Sequence, residues 1–227
     1  ADVLASCEGL DDAASWSIRD RQYASHSEQV VSSLATLAGD RAWALRDQWL
    51  KRVGNGLARD YEEAKTACKS VTGLDDERAW AVRESARVAA PVAALASLIG
   101  VVSPRSFTWR EESLHRAPKV VMASLRRVTD PRAWAMRQAV ATDCKEAIDS
   151  LDSLDDAEAW QLRERCADLW PSTVAKTLGP LADGPRGKAL VERQLEKYPG
   201  NVSLLKHVAA MYLGLHRLKN AGGELDG

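Results

Sequence analysis

A short pattern recurs along almost the whole chain and constrains its fold more than any other feature. It opens with Asp, carries Ala-Trp a few residues later and Arg three residues after the Trp. It closes with Ser or Thr and two spaced apolar residues. The opening occurs at residues 11–19, 39–46, 75–83, 130–137 and 155–163, and in weaker form at 104–112 and 183–193. The closing residues are Ser6, Ser33, Ser70, Ser97, Ser124, Ser150 and Thr177, at intervals of 27, 37, 27, 27, 26 and 27. Such a steady period is typical of a stacked repeat array.

Each repeat is predicted to contain two short helices. The Asp before Pro131 suits an N-cap, with Pro131 in the first helical turn. Pro91, Pro118 and Pro171 each stand six residues before a closing Ser or Thr. Because Pro inside a helix costs ~3 kcal/mol, these prolines indicate the start of a second helix. The one long interval places an insertion around Gly54-Asn55-Gly56, a helix-breaking cluster.

The repeat resembles the HEAT-like family. The resemblance depends on the Asp-initiated first helix with an internal Arg, and on the A-P-x-V-x-x-x-L second helix at Ala90–Leu98 and Ala117–Leu125. The Trp of each first helix departs from the usual family pattern, which indicates a divergent branch. The resemblance implies an all-α fold: a right-handed α-α superhelix, here of about seven two-helix repeats of ~27 residues. It also implies a binding role.

We therefore expect a single α-solenoid over residues 1–218. Its predicted segments are a half repeat 1–10, repeats 11–37, 38–74 with the insertion near 54–56, 75–101, 102–128, 129–154 and 155–181, a capping repeat 182–218, and a tail 219–227. Residues 1–10 read as the end of a repeat whose first helix is missing. We therefore expect that further repeats or another domain precede residue 1.

The recurring Trp and Arg are predicted to hold neighbouring repeats together. The cap Asp stands seven residues before the Arg in four repeats, about 10.5 Å along a helix axis. That distance favours a bond from the Arg to the cap or preceding loop of the adjacent repeat, with the Trp rings stacked between first helices. The predicted ladder comprises Asp12, Asp76, Asp130, Asp156, Arg19, Arg46, Arg83, Arg137, Arg163, Trp16, Trp43, Trp80, Trp134 and Trp160. The alternative is a row of Arg and Trp that binds phosphates or bases.

Two surfaces are candidates for partner binding. The second helix of repeat 75–101 is apolar even at the outward positions Val92, Ala96 and Ile99, so it is either covered by other parts of the chain or exposed to a partner. Basic residues at outward positions of the second helices form a predicted stripe for an acidic peptide or a phosphate-rich polymer, unless they are only a solvated face. These residues are Lys65, Lys69, Lys119, Arg126, Arg127, Lys145 and Lys176.

The composition narrows the function. The 31 basic and 32 acidic residues nearly balance, which argues against nucleic acid and anionic membranes as partners. The sequence has no recognisable signal peptide and no run of ~18 apolar residues, so we expect no membrane insertion. The four cysteines lack metal-binding spacing, which favours buried thiols in a reducing, cytoplasmic setting. The four dispersed histidines match no catalytic motif.

The leading hypothesis is a non-catalytic helical-repeat scaffold that binds another protein, with no cofactor and no metal. A second hypothesis is an accessory helical domain of a larger enzyme, nucleotide- or phosphate-handling and kinase-like, whose catalytic domain lies upstream. A third is nucleic-acid binding of the HEAT-like type, against which the charge balance argues.

Overall fold

A computed structural model describes residues 2–152 and 154–210, in which helices are joined by short turns and no β-strand is present. Two short helices recur in each repeat. The first helices are α2 (Ala13–Gln22), α4 (Asp40–Val53), α6 (Glu77–Ala86), α8 (Pro104–Ser113), α10 (Pro131–Val140), α12 (Ala157–Cys166) and α14 (Pro185–Lys197). The second helices are α1 (Asp2–Ala5), α3 (Ser27–Ser32), α5 (Tyr61–Ser70), α7 (Pro91–Ala96), α9 (Pro118–Ser124), α11 (Glu146–Asp149) and α13 (Pro171–Leu178). Residues 202–210 are also helical.

The cap residues begin the first helices as predicted. The carboxylates of Asp12, Asp76 and Asp156 accept hydrogen bonds from the backbone N–H three residues later, at 2.9 to 3.0 Å. Asp130 accepts one from Arg132 at 2.8 Å. The bond from the Ser15 backbone is the main reason that the pKa of Asp12 is lowered. These bonds satisfy N–H groups that a helix start leaves without a partner.

Proline begins the second helices at Pro91, Pro118 and Pro171, as predicted. A fixed φ and a missing N–H suit the first helical turn. The insertion near 54–56 is resolved into two features. Helix α4 has 14 residues where most other first helices have 10, and a 3-10 helix (Gly54–Ala58) follows it. Leu57 of this segment is buried in a cluster with Trp43 and Trp49.

The closing turns use left-handed backbone at the third residue after the closing Ser. Gly9, Gly73 and Gly100 have φ values of 71°, 77° and 79° at this position, and Thr36 and Arg127 occupy it with φ of 67° and 61°. Successive turns are joined through the backbone. Gly9 donates to Ser33 at 3.3 Å, Gly73 to Ser97 at 3.1 Å and Arg127 to Ser150 at 3.2 Å.

The chain divides into two compact units, Ala1–Ser124 and Leu125–Gly227. In the first, the second helices pack side by side in chain order, α1 on α3, then α5, α7 and α9. In the second, α11 packs on α13. The remainder of the predicted capping repeat, 211–218, and the predicted tail, 219–227, lie outside the described residues. No helix within the described part of the chain is long and apolar enough to cross a bilayer.

Candidate functional site

Six arginines, one on each first helix from α2 to α12, are completely buried. We call them the central arginines: Arg19, Arg46, Arg83, Arg110, Arg137 and Arg163, all 0% exposed. Arginine is rarely fully buried unless its charge and its five donors are matched. Their surroundings therefore explain why the repeat keeps Arg at this position.

One geometry serves nearly all of them. In Arg19, Nε donates to Ser33 Oγ at 3.0 Å, Nη1 to the Leu10 carbonyl at 2.8 Å and Nη2 to the Cys7 carbonyl at 2.5 Å. Arg110 and Arg163 repeat these three bonds with the same sequence offsets. One guanidinium thus joins the closing Ser or Thr of its own repeat to the closing turn of the preceding repeat.

The insertion changes this pattern in one repeat only. Arg46 donates through Nε and Nη2 to the carbonyl of Ser70, at 3.0 and 2.6 Å, and still reaches Leu37 and Leu34. The sequence offset to the closing Ser grows from 14 to 24 residues, and the spatial arrangement persists.

The buried charge faces carbonyls that end the second helices, where the helix dipole presents partial negative charge. Burial lowers the pKa of Arg46, Arg83, Arg110, Arg137 and Arg163 to about 10 in each case. Since that value lies well above neutral pH, the guanidinium groups stay charged. With no exposed surface they are out of reach of phosphates or bases, so the geometry argues against the ligand-binding alternative for the Arg row.

The cap carboxylates are not the partners of the central arginines, so of the two predicted acceptors, the cap and its preceding loop, only the loop remains. The four cap carboxylates Asp12, Asp76, Asp130 and Asp156 accept from the N-termini of their own helices, as described above, and the arginines bind carbonyls and hydroxyls instead. A carbonyl at a helix end lies closer to the buried guanidinium and needs no second buried charge. The acid before the cap has another role: Asp11, Asp75 and Asp155 accept from the indole Nε1 of Trp16, Trp80 and Trp160 at 2.6, 2.9 and 2.7 Å.

The repeat at 102–128 is complete, although the sequence pattern predicts only a weaker opening at 104–112. Phe107 takes the aromatic position and Arg110 the central position, 14 residues before Ser124, the same offset as Arg19 to Ser33. Trp109 stands two residues after the aromatic position and is therefore not its equivalent. Helix α14, the last of the first helices, has no central arginine. Val191 is buried at that position, seven residues after the Gly184 cap, and Arg193 is exposed.

A second set of arginines crosses between repeats on the outside. Arg41, Arg78, Arg105 and Arg186, here called the stacking arginines, each stand two residues after a helix cap. Their guanidinium carbons lie 4.7, 4.2, 4.6 and 4.7 Å from the ring centroids of Trp16, Trp43, Trp80 and Trp160 in the preceding repeat. Each also pairs with the acid that follows the preceding central arginine: Asp20, Asp47, Glu84 and Glu164, respectively.

Each of these Trp rings therefore has a guanidinium of its own repeat near the ring and another from the next repeat. Arg19 lies 4.8 Å from the Trp16 centroid and Arg46 4.6 Å from that of Trp43. Between first helices these Trp rings thus contact guanidinium groups, and Trp80 of α6 also meets Trp109 of α8 edge-on, with ring centroids 5.3 Å apart. The sequence pattern did not reveal the stacking arginines. Each stands two residues from the aromatic position of its own helix, and residues at that spacing do not face each other. Their contact with the Trp of the preceding repeat was therefore not predicted.

The apolar candidates on α7 and in the turn after it are accessible. Val92 and Ile99 are 51% and 44% exposed, and Ala96 is half-buried. Val88 and Val102, before and after them in sequence, are 79% and 56% exposed. Among the described residues, neither the insertion around 54–56 nor any other segment covers Val92 and Ile99 fully, which favours the exposed of the two predicted alternatives.

Acidic partners accompany most of the basic candidates. Lys65 pairs with Glu62 at 3.0 Å and Lys69 with Glu8 at 3.1 Å. Other pairs are Arg126 and Arg127 with Asp152, and Lys145 and Lys176 with Asp149. Lys119 is exposed. The predicted basic stripe is therefore interleaved with carboxylates.

Comparison of the chain with protein-family models, with curated proteins and with solved structures finds no match. Within residues 2–152 and 154–210, no group of three His, Cys, Asp or Glu side chains is arranged to hold a metal ion.

Proposed function

We propose that the chain is a non-catalytic helical-repeat scaffold, a HEAT-like α-solenoid of divergent type, that binds another protein. The observation that carries this proposal is a short stretch on and around α7 with several exposed apolar side chains. Val88, Val92, Ile99 and Val102 are each 44% or more exposed within fifteen residues. We call these four residues the apolar face.

Single exposed apolar residues are common on proteins, but a concentration of them in one short stretch favours an interface. Helix α7 has no charged residue, and neither does its closing turn up to Val102. Burial of such side chains against a partner is the ordinary source of affinity in protein–protein contacts.

The central arginines support the scaffold part of the proposal. Each joins three segments from two successive repeats through charge-assisted hydrogen bonds, which fix geometry as well as energy. A stack held this way presents its outer surface with little rearrangement. Preorganisation of that kind lowers the entropic cost of binding.

The charge arrangement supports a protein partner more than a nucleic acid. Nucleic-acid binding requires several cations free to neutralise phosphates. Here the lysines and arginines of the predicted stripe mostly have carboxylate neighbours, as with Lys176 and Asp149 at 3.0 Å.

The test is site-specific photo-crosslinking in an extract of the source cells, followed by reconstitution from purified components. A photoreactive residue replaces Val92, and a matched one replaces Leu169, which is equally exposed at 52% but outside the apolar face. We expect one protein to be captured at position 92 and not at position 169. With that protein purified, Val92→Ser combined with Ile99→Ser is expected to weaken binding at least about 10-fold, the equivalent of 1.4 kcal/mol.

The control is Leu169→Ser, which should leave the affinity unchanged. Equal capture at both positions, or an affinity that the double substitution does not alter, would contradict the proposal. Circular dichroism and the melting temperature of each variant show whether the fold is intact.

A further inference from the structure

The contact between a stacking arginine and a Trp ring is missing in one repeat pair. In the repeat that begins at Asp155, the position two residues after the cap Asp156 holds Glu158. In the four repeats whose Trp has a stacking arginine, the residue after the central arginine is Asp or Glu. After Arg137 it is Gln138. Both halves of the usual charge pair are therefore changed, and Trp134 has no stacking arginine from the repeat that follows it.

Trp134 lines a surface cleft of about 600 Å³. The cleft is bounded by Thr129, Pro131, Trp134, Ala135, Gln138, Asp156 and Glu158. It holds an aromatic ring and two carboxylates, and no Lys or Arg lines it. The comparable cleft at Trp160, about 580 Å³, already contains Arg186.

The indole of Trp134 also has an unused donor. In Trp16, Trp80 and Trp160, Nε1 donates to an Asp five residues earlier. In Trp134 that position is Thr129, and no acceptor among the described residues is bonded to Nε1. The Trp134 side chain is 7% exposed and lines the cleft.

We propose that this open position binds an arginine side chain of a partner protein. The guanidinium would lie against the Trp134 ring as Arg186 lies against Trp160, and the carboxylate of Glu158 would pair with it. Asp156 is already engaged as the helix cap, so Glu158 is the residue that supplies the charge. Four intramolecular contacts in this chain show guanidinium at 4.2 to 4.7 Å from a Trp centroid.

Arginine fits this position better than lysine. Its planar guanidinium stacks on an aromatic face and pairs sideways with a carboxylate at the same time, whereas an ammonium is a compact and strongly hydrated charge. The inference rests on the proposed function in supposing a protein partner. It uses no residue of the apolar face, and its test needs no partner protein.

The experiment is an NMR titration of the indole Nε1–H resonances with three short capped peptides, Gly-Arg-Gly, Gly-Lys-Gly and Gly-citrulline-Gly. Citrulline has the shape of arginine without the charge. The Trp134→Phe variant assigns the resonance of Trp134. We expect the arginine peptide to shift this resonance saturably but with weak affinity, at a Kd of about 10–100 mM, because only one cation–π contact and one carboxylate hold the side chain.

Matched variants define the site. Glu158→Gln should weaken the titration about 5-fold or more, as expected for loss of a contact worth about 1 kcal/mol. Glu158→Arg combined with Gln138→Glu should rebuild the intramolecular contact, abolish the titration and raise the melting temperature. The Trp160 resonance, whose ring Arg186 occupies, should not move in any of these titrations.

Three results would overturn the inference: no shift at Trp134, an equal shift with the lysine or citrulline peptide, or a titration that persists in the doubly substituted protein. The Val92→Ser and Ile99→Ser substitutions are expected to leave the titration unchanged. The experiments can therefore reject arginine binding at Trp134 without rejecting partner binding at the apolar face, and the reverse.

Discussion

Arg110 Nε donates to Ser124 Oγ across 2.9 Å, and both side chains are completely buried. The same guanidinium reaches the carbonyls of Leu98 and Val101, at 2.7 and 2.8 Å, in the closing turn of the preceding repeat. One side chain thus ties together the two helices of its own repeat and the end of the repeat before it. The carbonyls would be left buried and unpaired without it, at about 1–3 kcal/mol each.

The contacts of the stacking arginines are expected to be much weaker. Arg78 and Asp47 are about half exposed, with N and O 2.5 Å apart, and exposed pairs are worth about 0.2–1 kcal/mol. Arg78→Ala should lower the free energy of unfolding by about 1 kcal/mol, since it also removes the contact with Trp43. A double-mutant cycle with Asp47→Asn measures the pair itself. A coupling energy above about 2 kcal/mol would show that solvent screens this pair far less than its exposure implies.

Backbone strain at the closing turns predicts opposite changes in stability for two substitutions. Thr36 has φ of 67°, a conformation that costs a β-branched residue free energy and glycine almost none. Thr36→Gly should therefore stabilise the protein by about 0.5–1 kcal/mol, and Gly73→Ala, at φ of 77°, should destabilise it by about 1 kcal/mol. Chemical denaturation of both variants checks the pair. Destabilisation by Thr36→Gly would mean that the side chain contributes more through its contacts than it loses in strain.

Much of this architecture follows from the sequence. The spacing of the closing residues predicts the repeats, and the Asp and Pro positions predict the helix starts, because capping and proline geometry are local effects. The partners of the central arginines could not be predicted as readily. Carbonyl groups are present at every residue, so the sequence gives no sign of which carbonyls a guanidinium meets.

The same reasoning explains the error at 102–128. The aromatic position accepts Phe107 in place of Trp, since it needs a flat apolar ring, whereas the central position keeps Arg in all six first helices from α2 to α12. The distance of 14 residues between Arg110 and Ser124 was the better guide to register. The contact of Arg41 with Trp16 lies between repeats and required the three-dimensional arrangement.

The cysteines report on the integrity of the core. All four, Cys7, Cys68, Cys144 and Cys166, are buried free thiols, and burial raises the pKa of Cys68 to about 12. Since the thiolate is the reactive form, we expect almost no reaction with an aromatic disulfide reagent at pH 8 under native conditions. In denaturant all four thiols should react. Rapid reaction of one or more thiols in the native protein would show that part of the described core opens readily.

The pairing of Asp152 predicts a dependence on pH. Partial burial raises the pKa of Asp152, while hydrogen bonds and charge from Arg126 and Arg127 lower it. The lowering is larger, so the net pKa lies below the ordinary value of 3.8. The pair therefore stabilises the fold fully above pH 3.8, and this contribution is lost as the pH falls through the folded-state pKa. Asp152→Asn should cost about 0.5–1 kcal/mol at pH 7, and the cost should shrink as the pH is lowered below 3.8. A cost that does not change with pH would show that Asp152 stabilises the fold through packing and not through its charge. Glu62→Gln, at an exposed carboxylate, is the control.

The central claim is that buried arginines hold the repeats together, and Arg110→Lys tests it most directly. Lysine keeps the charge but cannot supply the fork of donors, so the variant should lose about 3 kcal/mol of unfolding free energy. Arg87→Lys is the matched control, because Arg87 is exposed and pairs with Glu112 at 3.1 Å. It should change the free energy by less than about 1 kcal/mol. Equilibrium denaturation of the two variants beside the parent protein gives both values, and a loss of less than about 0.5 kcal/mol for Arg110→Lys would contradict the account.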